Sequence, residues 1–130
     1  MTETNRHPVA EPEVHLIPAG FIGHVVIHHG RSDAAPLDHD GGARLYRIPA
    51  DGVLATQTPA NYGVRPPERM AFYAVDAAGS RTPLPVDTAA AHGPSILGGY
   101  QVGPDFHYFV DRPENAGKYP NPALTPGQRG

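Results

Sequence analysis

Apolar residues come in short runs in this chain, and proline or glycine closes nearly every one, as in Leu16-Ile17-Pro18-Ala19-Gly20. Sixteen prolines and fifteen glycines make up about a quarter of the 130 residues. Proline lacks the amide proton a helix interior needs, and glycine weakens helices and strands alike, so long elements are disfavoured. A set of short strands joined by tight turns is what such punctuation permits.

Eight stretches read as strands: residues 14–17, 21–29, 44–48, 53–57, 70–75, 81–86, 96–102 and 106–110. In "RLYRI" the side chains alternate, with Leu45 and Arg47 on one face against Arg44, Tyr46 and Ile48 on the other. Pro49 with Asp51-Gly52 turns the chain, and "DAAGS" reads as a hairpin connection. Turn signals spaced about 8–12 residues apart predict an all-β fold. The expected architecture is a single sandwich of about seven or eight short, mostly antiparallel strands with flexible Pro/Gly-rich termini. Residues 1–13 form the flexible start, 14–110 the sandwich, and 111–130 an extended or disordered tail, with Tyr119 and Leu124 as its anchors. One helical turn is expected where Asp87 could cap residues up to His92. Residues 58–69 make the longest unstructured connection, read as an irregular crossover between sheets.

The formal net charge is −3 and the ten Lys and Arg are scattered, so no basic surface calls for nucleic acid or an anionic membrane. The absence of Cys excludes disulfides, thiolate metal sites and a Cys nucleophile. No apolar run approaches the ~20 residues of a membrane span. The first residues, "MTETNRHPVAEPEVH", carry no apolar signal region. These features predict a soluble cytoplasmic protein, or an exported one if a signal has been removed.

Residues 20–40 hold four of the eight histidines and three aspartates. A metal site needs three or four donors, each about 2 Å from one ion. On a strand, His24, Val26 and His28 share one face while Val25, Ile27 and His29 share the other. His24 and His28 then lie about 13 Å apart, too far for one ion. No Glu follows His24 as a zinc-binding helix would require, and Asp38-His39-Asp40-Gly41 does not fit a calcium loop. A divalent ion remains the alternative reading, held by His28 or His29 if the loop folds back to bring Asp38, His39 or Asp40 against it. Solvated polar residues on an edge strand and a loop are the simpler account. No cofactor is otherwise expected.

Of the four remaining histidines, His92 and His107 read as turn and strand residues. Ser32, Ser80 and Ser95 lack a nucleophile-elbow context, and "GPSILGG" lacks the register of a phosphate-binding loop. Tyrosines suit both core margins and recognition surfaces. If the chain has a partner-binding surface, Tyr62, Arg65 and Arg69 on the long connection are its candidates, because Tyr and Arg dominate interface hot spots. A sugar platform is disfavoured because the chain has no Trp.

Two segments, "LIPAGFIGHVVI" and "YRIPADGVLATQT", carry a resemblance. They resemble a family of small bacterial β domains of unknown function, many of them exported. In that family an IP-x-G-[FY]-x-G-x-V-x-I strand precedes IP-x-DG-x-L-x-T, and "FHYFV" matches its closing aromatic strand. The resemblance implies a fold and brings no catalytic residue with it. The expected function is therefore a non-enzymatic binding or accessory module, of inhibitor, immunity or structural type. Its partner would be another protein or a second copy joined through an exposed edge. The alternative is a metal-dependent or His-assisted enzyme using His28, His29, Asp38, His39 and Asp40.

Overall fold

A computed structural model of the chain describes residues 11–61, 69–86 and 93–119. The strands are β1 (Glu13–Pro18), β2 (Gly23–His28), β3 (Asp38–Asp40), β4 (Ala43–Arg47), β5 (Val53–Ala55), β6 (Met70–Val75), β7 (Arg81–Pro83), β8 (Ser95–Val102) and β9 (Asp105–Asp111), and a 3-10 helix spans Pro113–Lys118. They form a five-stranded sheet in the order β3-β4-β1-β6-β7 and a four-stranded sheet in the order β5-β2-β9-β8. The expected all-β sandwich is what the chain forms.

Period-two alternation builds its core. Ile17, Tyr46, Ile48, Met70 and Phe72 come from the larger sheet, and Val25, Ile27, Ile96, Tyr108 and Val110 from the smaller. Each such side chain, fully buried, stabilises the fold by about 1.5–3 kcal/mol relative to exposure.

Both sheets are mixed. Parallel pairing joins β1 to β4, β1 to β6 and β2 to β5, while the other four ladders are antiparallel. The turn at Asp51-Gly52 accordingly makes no hairpin, since it carries the chain from β4 in one sheet to β5 in the other. Gly52 has φ +81°, and a Cβ there would lie 2.5 Å from the His24 carbonyl oxygen, which is why glycine occupies the corner. The "DAAGS" hairpin does join β6 to β7, and the Asp76 carboxylate accepts from the amides of Ala78 and Ser80 at 2.9 Å each.

Three expectations change. Residues 38–40 are a short edge strand rather than loop, paired with β4 through the backbone although no apolar side chain announces them. Residues 81–86 shorten to β7, and Val86 then bridges Ile96 of β8. Beyond Asp111 the chain turns into the 3-10 helix instead of running extended, because the Asp111 carboxylate gathers donors from that segment. Asn115 Nδ2 reaches it at 2.9 Å, the Arg112 amide at 2.7 Å and the Tyr119 hydroxyl at 2.5 Å. The single turn expected at 87–92 and the Leu124 anchor lie outside the described residues.

Candidate functional site

Polar residues occupy two distinct places in the sandwich. The first is the interior. On β1, Glu13 and His15 share the inward face with Ile17, and the parallel register sets Arg44 and Tyr46 of β4 beside them. Glu13 Oε1 lies 2.7 Å from His15 Nε2, and His15 Nδ1 lies 2.9 Å from the Tyr108 hydroxyl. Glu13 Oε2 accepts from Asn61 Nδ2 at 2.9 Å and from the Tyr46 hydroxyl at 3.3 Å. His29 spans the two sheets, with Nε2 2.9 Å from the Tyr46 hydroxyl and Nδ1 donating to the Pro104 carbonyl at 2.8 Å. Arg44 donates to the Pro59 carbonyl at 2.7 Å and to Glu11 at 3.2 Å. The His15 ring is stacked on Tyr46 at 4.5 Å and tilted against Phe72 at 4.7 Å.

Burial pushes the Glu13 carboxyl up. The bond and charge of His15, with the Asn61 amide and the His29 imidazole, outweigh it and hold the group below its ordinary value. Burial pushes the Tyr46 and Tyr108 phenols far up and the His29 imidazole down. Glu13 is 4% exposed and His15 0%, so the acid and imidazole are closed off from solvent. An ionised carboxylate in such a place, ringed by donors, fixes the geometry of the strands around it. Glu13, His15, Arg44 and Asn61 had not been singled out by sequence. For Glu13, His15 and Arg44 the signal is the alternation Glu13-x-His15-x-Ile17 and Arg44-x-Tyr46-x-Ile48, which puts polar and core residues on one face, whereas Asn61 lies outside any strand and carries no such signal.

The second place is the outer face of the four-stranded sheet. His24, Val26 and His28 of β2 point there, alongside Asp105, His107 and Phe109 of β9. On β8 the glycines Gly98 (φ 71°) and Gly99 (φ 133°) form a bulge, so between the pairs Leu97–Phe109 and Tyr100–His107 these two residues oppose Tyr108 alone. The extra residue aims Tyr100 onto the same face, where its ring stacks on His107 at 4.8 Å with 3° between the planes. His107 meets His24 (centroids 5.1 Å), His24 meets Phe109 (5.0 Å), and Tyr119 closes the row over Phe109 (4.7 Å). Burial lowers the pKa of His24 and of His107, and the nearby His24 lowers that of His107 further. Exposed Val53 and Val102 lie on the strands at the sheet's two edges.

The histidines and aspartates suspected of metal binding are scattered. His28 faces out and pairs with Asp105 at 2.9 Å beside Arg31, whereas His29 faces in. Asp38, His39 and Asp40 stand on the edge of the other sheet, paired with Arg47 (3.4 Å), Glu11 (3.1 Å) and Arg81 (3.0 Å). The loop does not fold back onto β2, and among the described residues no group of three or more donors converges. Of the interface candidates, Tyr62 and Arg65 lie outside the described residues. Arg69 is exposed just before β6, and its carbonyl accepts the Glu13 amide at 2.7 Å. A cleft of about 130 Å³ lined by Leu37, Leu45, Leu54 and neighbouring residues falls below the ~300–1,000 Å³ of ordinary small-molecule sites.

The family model described as "Family of unknown function (DUF6843)" matches residues 9–115, which include both IP segments and the closing aromatic strand. A crystal structure of a "Putative Lipoprotein from Bacillus anthracis" shares the fold with TM-score 0.51 and 21% identity, over 78% of this chain and 68% of that one. No curated protein matches the chain. The expectation of a cytoplasmic protein is corrected by that neighbour, since lipoproteins are anchored to membranes by their lipid. The expectation rested on a polar start, and where the given sequence begins does not decide whether a chain is exported. Among the described residues no helix is long and apolar enough to cross a membrane.

Proposed function

We propose, for a chain that belongs to the DUF6843 family, the role of a non-enzymatic binding module that docks a protein partner on the outer face of its four-stranded sheet. The observation that carries this reading is the row Tyr100–His107–His24, whose rings lie side by side on a solvent-facing sheet surface. Interface cores are enriched in aromatic residues, and rings braced against one another lose little conformational freedom on binding. Val26, half-buried, and Val53, exposed, extend the surface with apolar area. The partner that fits is a protein surface offering apolar contacts to these rings and hydrogen bonds to the imidazoles and the Tyr100 hydroxyl.

The interior supports the same reading. Its acid–imidazole pair, Glu13 and His15, is closed off from solvent, which suits a scaffold role for these two residues. Enzyme chemistry through His28, His29, Asp38, His39 and Asp40 has no converging geometry behind it.

The test is co-purification from source cells of the wild-type chain, a Tyr100→Ala, His24→Ala variant, and an Ala78→Asp variant on the opposite sheet's hairpin. The reading expects one stoichiometric protein with wild type and with Ala78→Asp, and its loss in the double variant at unchanged melting temperature. Retention by the double variant contradicts it.

A further inference from the structure

The described histidines divide into two kinds. His15, His28, His29 and His39 each have a carboxylate, carbonyl or phenol partner that fixes the ring. His24 and His107 have each other: Nε2 of His24 lies 2.9 Å from Nδ1 of His107. In the antiparallel register, His107 opposes Val26 and His24 opposes Phe109, so the imidazoles are diagonal neighbours on one face. Their planes differ by 24° with centroids 5.1 Å apart, so the rings meet almost head to head, nitrogen towards nitrogen. His24 is exposed and His107 half-buried, which leaves the pair open to solvent.

We propose that His24 and His107 form a two-imidazole site for a late first-row divalent transition metal, of the Cu²⁺, Ni²⁺ or Zn²⁺ class. Neutral imidazole nitrogen suits these ions, with affinity rising towards Cu²⁺. At metal–nitrogen distances of about 2.0–2.1 Å and a tetrahedral angle, the nitrogens need separate only to about 3.3 Å. The exposed His24 ring must also swing well out of the head-to-head line so that both lone pairs aim at the ion, while Tyr100 holds the plane of His107. The shared proton moves to the remote nitrogen of its own ring, Nδ1 of His24 or Nε2 of His107, so two neutral rings bind the ion without net proton release. Water fills the remaining positions. This site differs from the one suspected in the sequence, and it does not rest on the docking reading, since it needs no partner.

The experiment uses untagged, chelator-stripped full chain titrated with Cu²⁺ and Ni²⁺ by calorimetry, with electron paramagnetic resonance of the Cu²⁺ form. The expected result is one ion per chain, nitrogen hyperfine structure from two imidazoles, and affinity lower by roughly 100-fold or more in His24→Ala and in His107→Ala. His39→Ala should bind as wild type. Circular dichroism of the exposed-site variant His24→Ala guards against misfolding as the cause. Absence of saturable one-to-one binding, or binding retained in the His24→Ala, His107→Ala double variant, overturns the site.

Discussion

Glu13 and His15, two residues apart on β1, hold their side chains 2.7 Å from each other in the closed interior of the sandwich. The parallel strand β4 adds Arg44 and Tyr46 in register, so three segments depend on one carboxylate. Removing one partner of a buried pair leaves the other polar groups unmatched, at about 3–5 kcal/mol. Glu13→Gln keeps the shape and removes the charge, so it should cost about 3 kcal/mol in urea unfolding. A loss below about 1 kcal/mol would show that the network is dispensable to the scaffold.

Acid should weaken the fold through the same group and through Asp111. Their ordinary values are 4.5 and 3.8, and in the folded chain both lie lower. Burial pushes Asp111 up, but bonds from Asn115, Tyr119 and the Arg112 amide outweigh it. A depressed folded value means that the unfolded chain binds the proton first. The stabilisation is complete above the unfolded value and is lost as pH falls through the folded one. Urea midpoints should begin to fall as pH drops through about 6.5, where the unfolded chain protonates His24, His29 and His107 before the folded one, and should fall more steeply below about 4.5 as the carboxylates follow. Asp111→Asn should show a shallower fall, and an unchanged profile would remove Asp111 from the account.

Tyr119→Phe should free the end of the 3-10 helix while leaving the sheets intact. The variant keeps the stack on Phe109 and loses the hydroxyl bond to Asp111. A hydrogen bond to a charged group contributes about 1.5–3 kcal/mol. Hydrogen exchange at residues 115–119 should accelerate while exchange in β2 and β9 stays as in wild type. Equal acceleration throughout would mean that the helix is not a separate closing element.

Gly52→Ala should be among the most costly single-methyl changes. The new Cβ would sit 2.5 Å from the His24 carbonyl oxygen and 2.9 Å from Phe21 Cζ, at a positive φ. Strain of this kind costs about 1–3 kcal/mol, and displacing backbone adds to it. Thermal melting of Gly52→Ala beside Gly79→Ala, at a positive-φ turn where nothing lies within 4 Å, separates clash from conformation. Equal losses in the two variants would show that the close approach at Gly52 does not matter.

Where two-residue periodicity alone decides, the sequence was legible. Val25, Ile27 and His29 face inward and His24, Val26 and His28 outward, as alternation requires. Met70–Val75 has the expected bounds because its run is apolar and ends at a turn. Partner choice was not legible, since the side chains of β1 carry no mark of the parallel register with β4 and β6. Strand β3 escaped notice because Asp38, His39 and Asp40 are exposed and pair only through backbone and ion pairs. The outer row was hidden for another reason. Tyr100 reaches His107 only through the extra residue of the Gly98-Gly99 bulge, and a fixed alternation cannot foresee that shift.

The claim that the outer face is the working surface is tested most directly by site-specific photo-crosslinking in source cells. A photoreactive amino acid replaces Tyr100 in one sample and Ala78, on the β6–β7 hairpin, in another. The account predicts one discrete protein adduct from position 100, lost when His24→Ala is added, and none from position 78. Adducts of the same size and yield from both positions, or none from position 100, would contradict it.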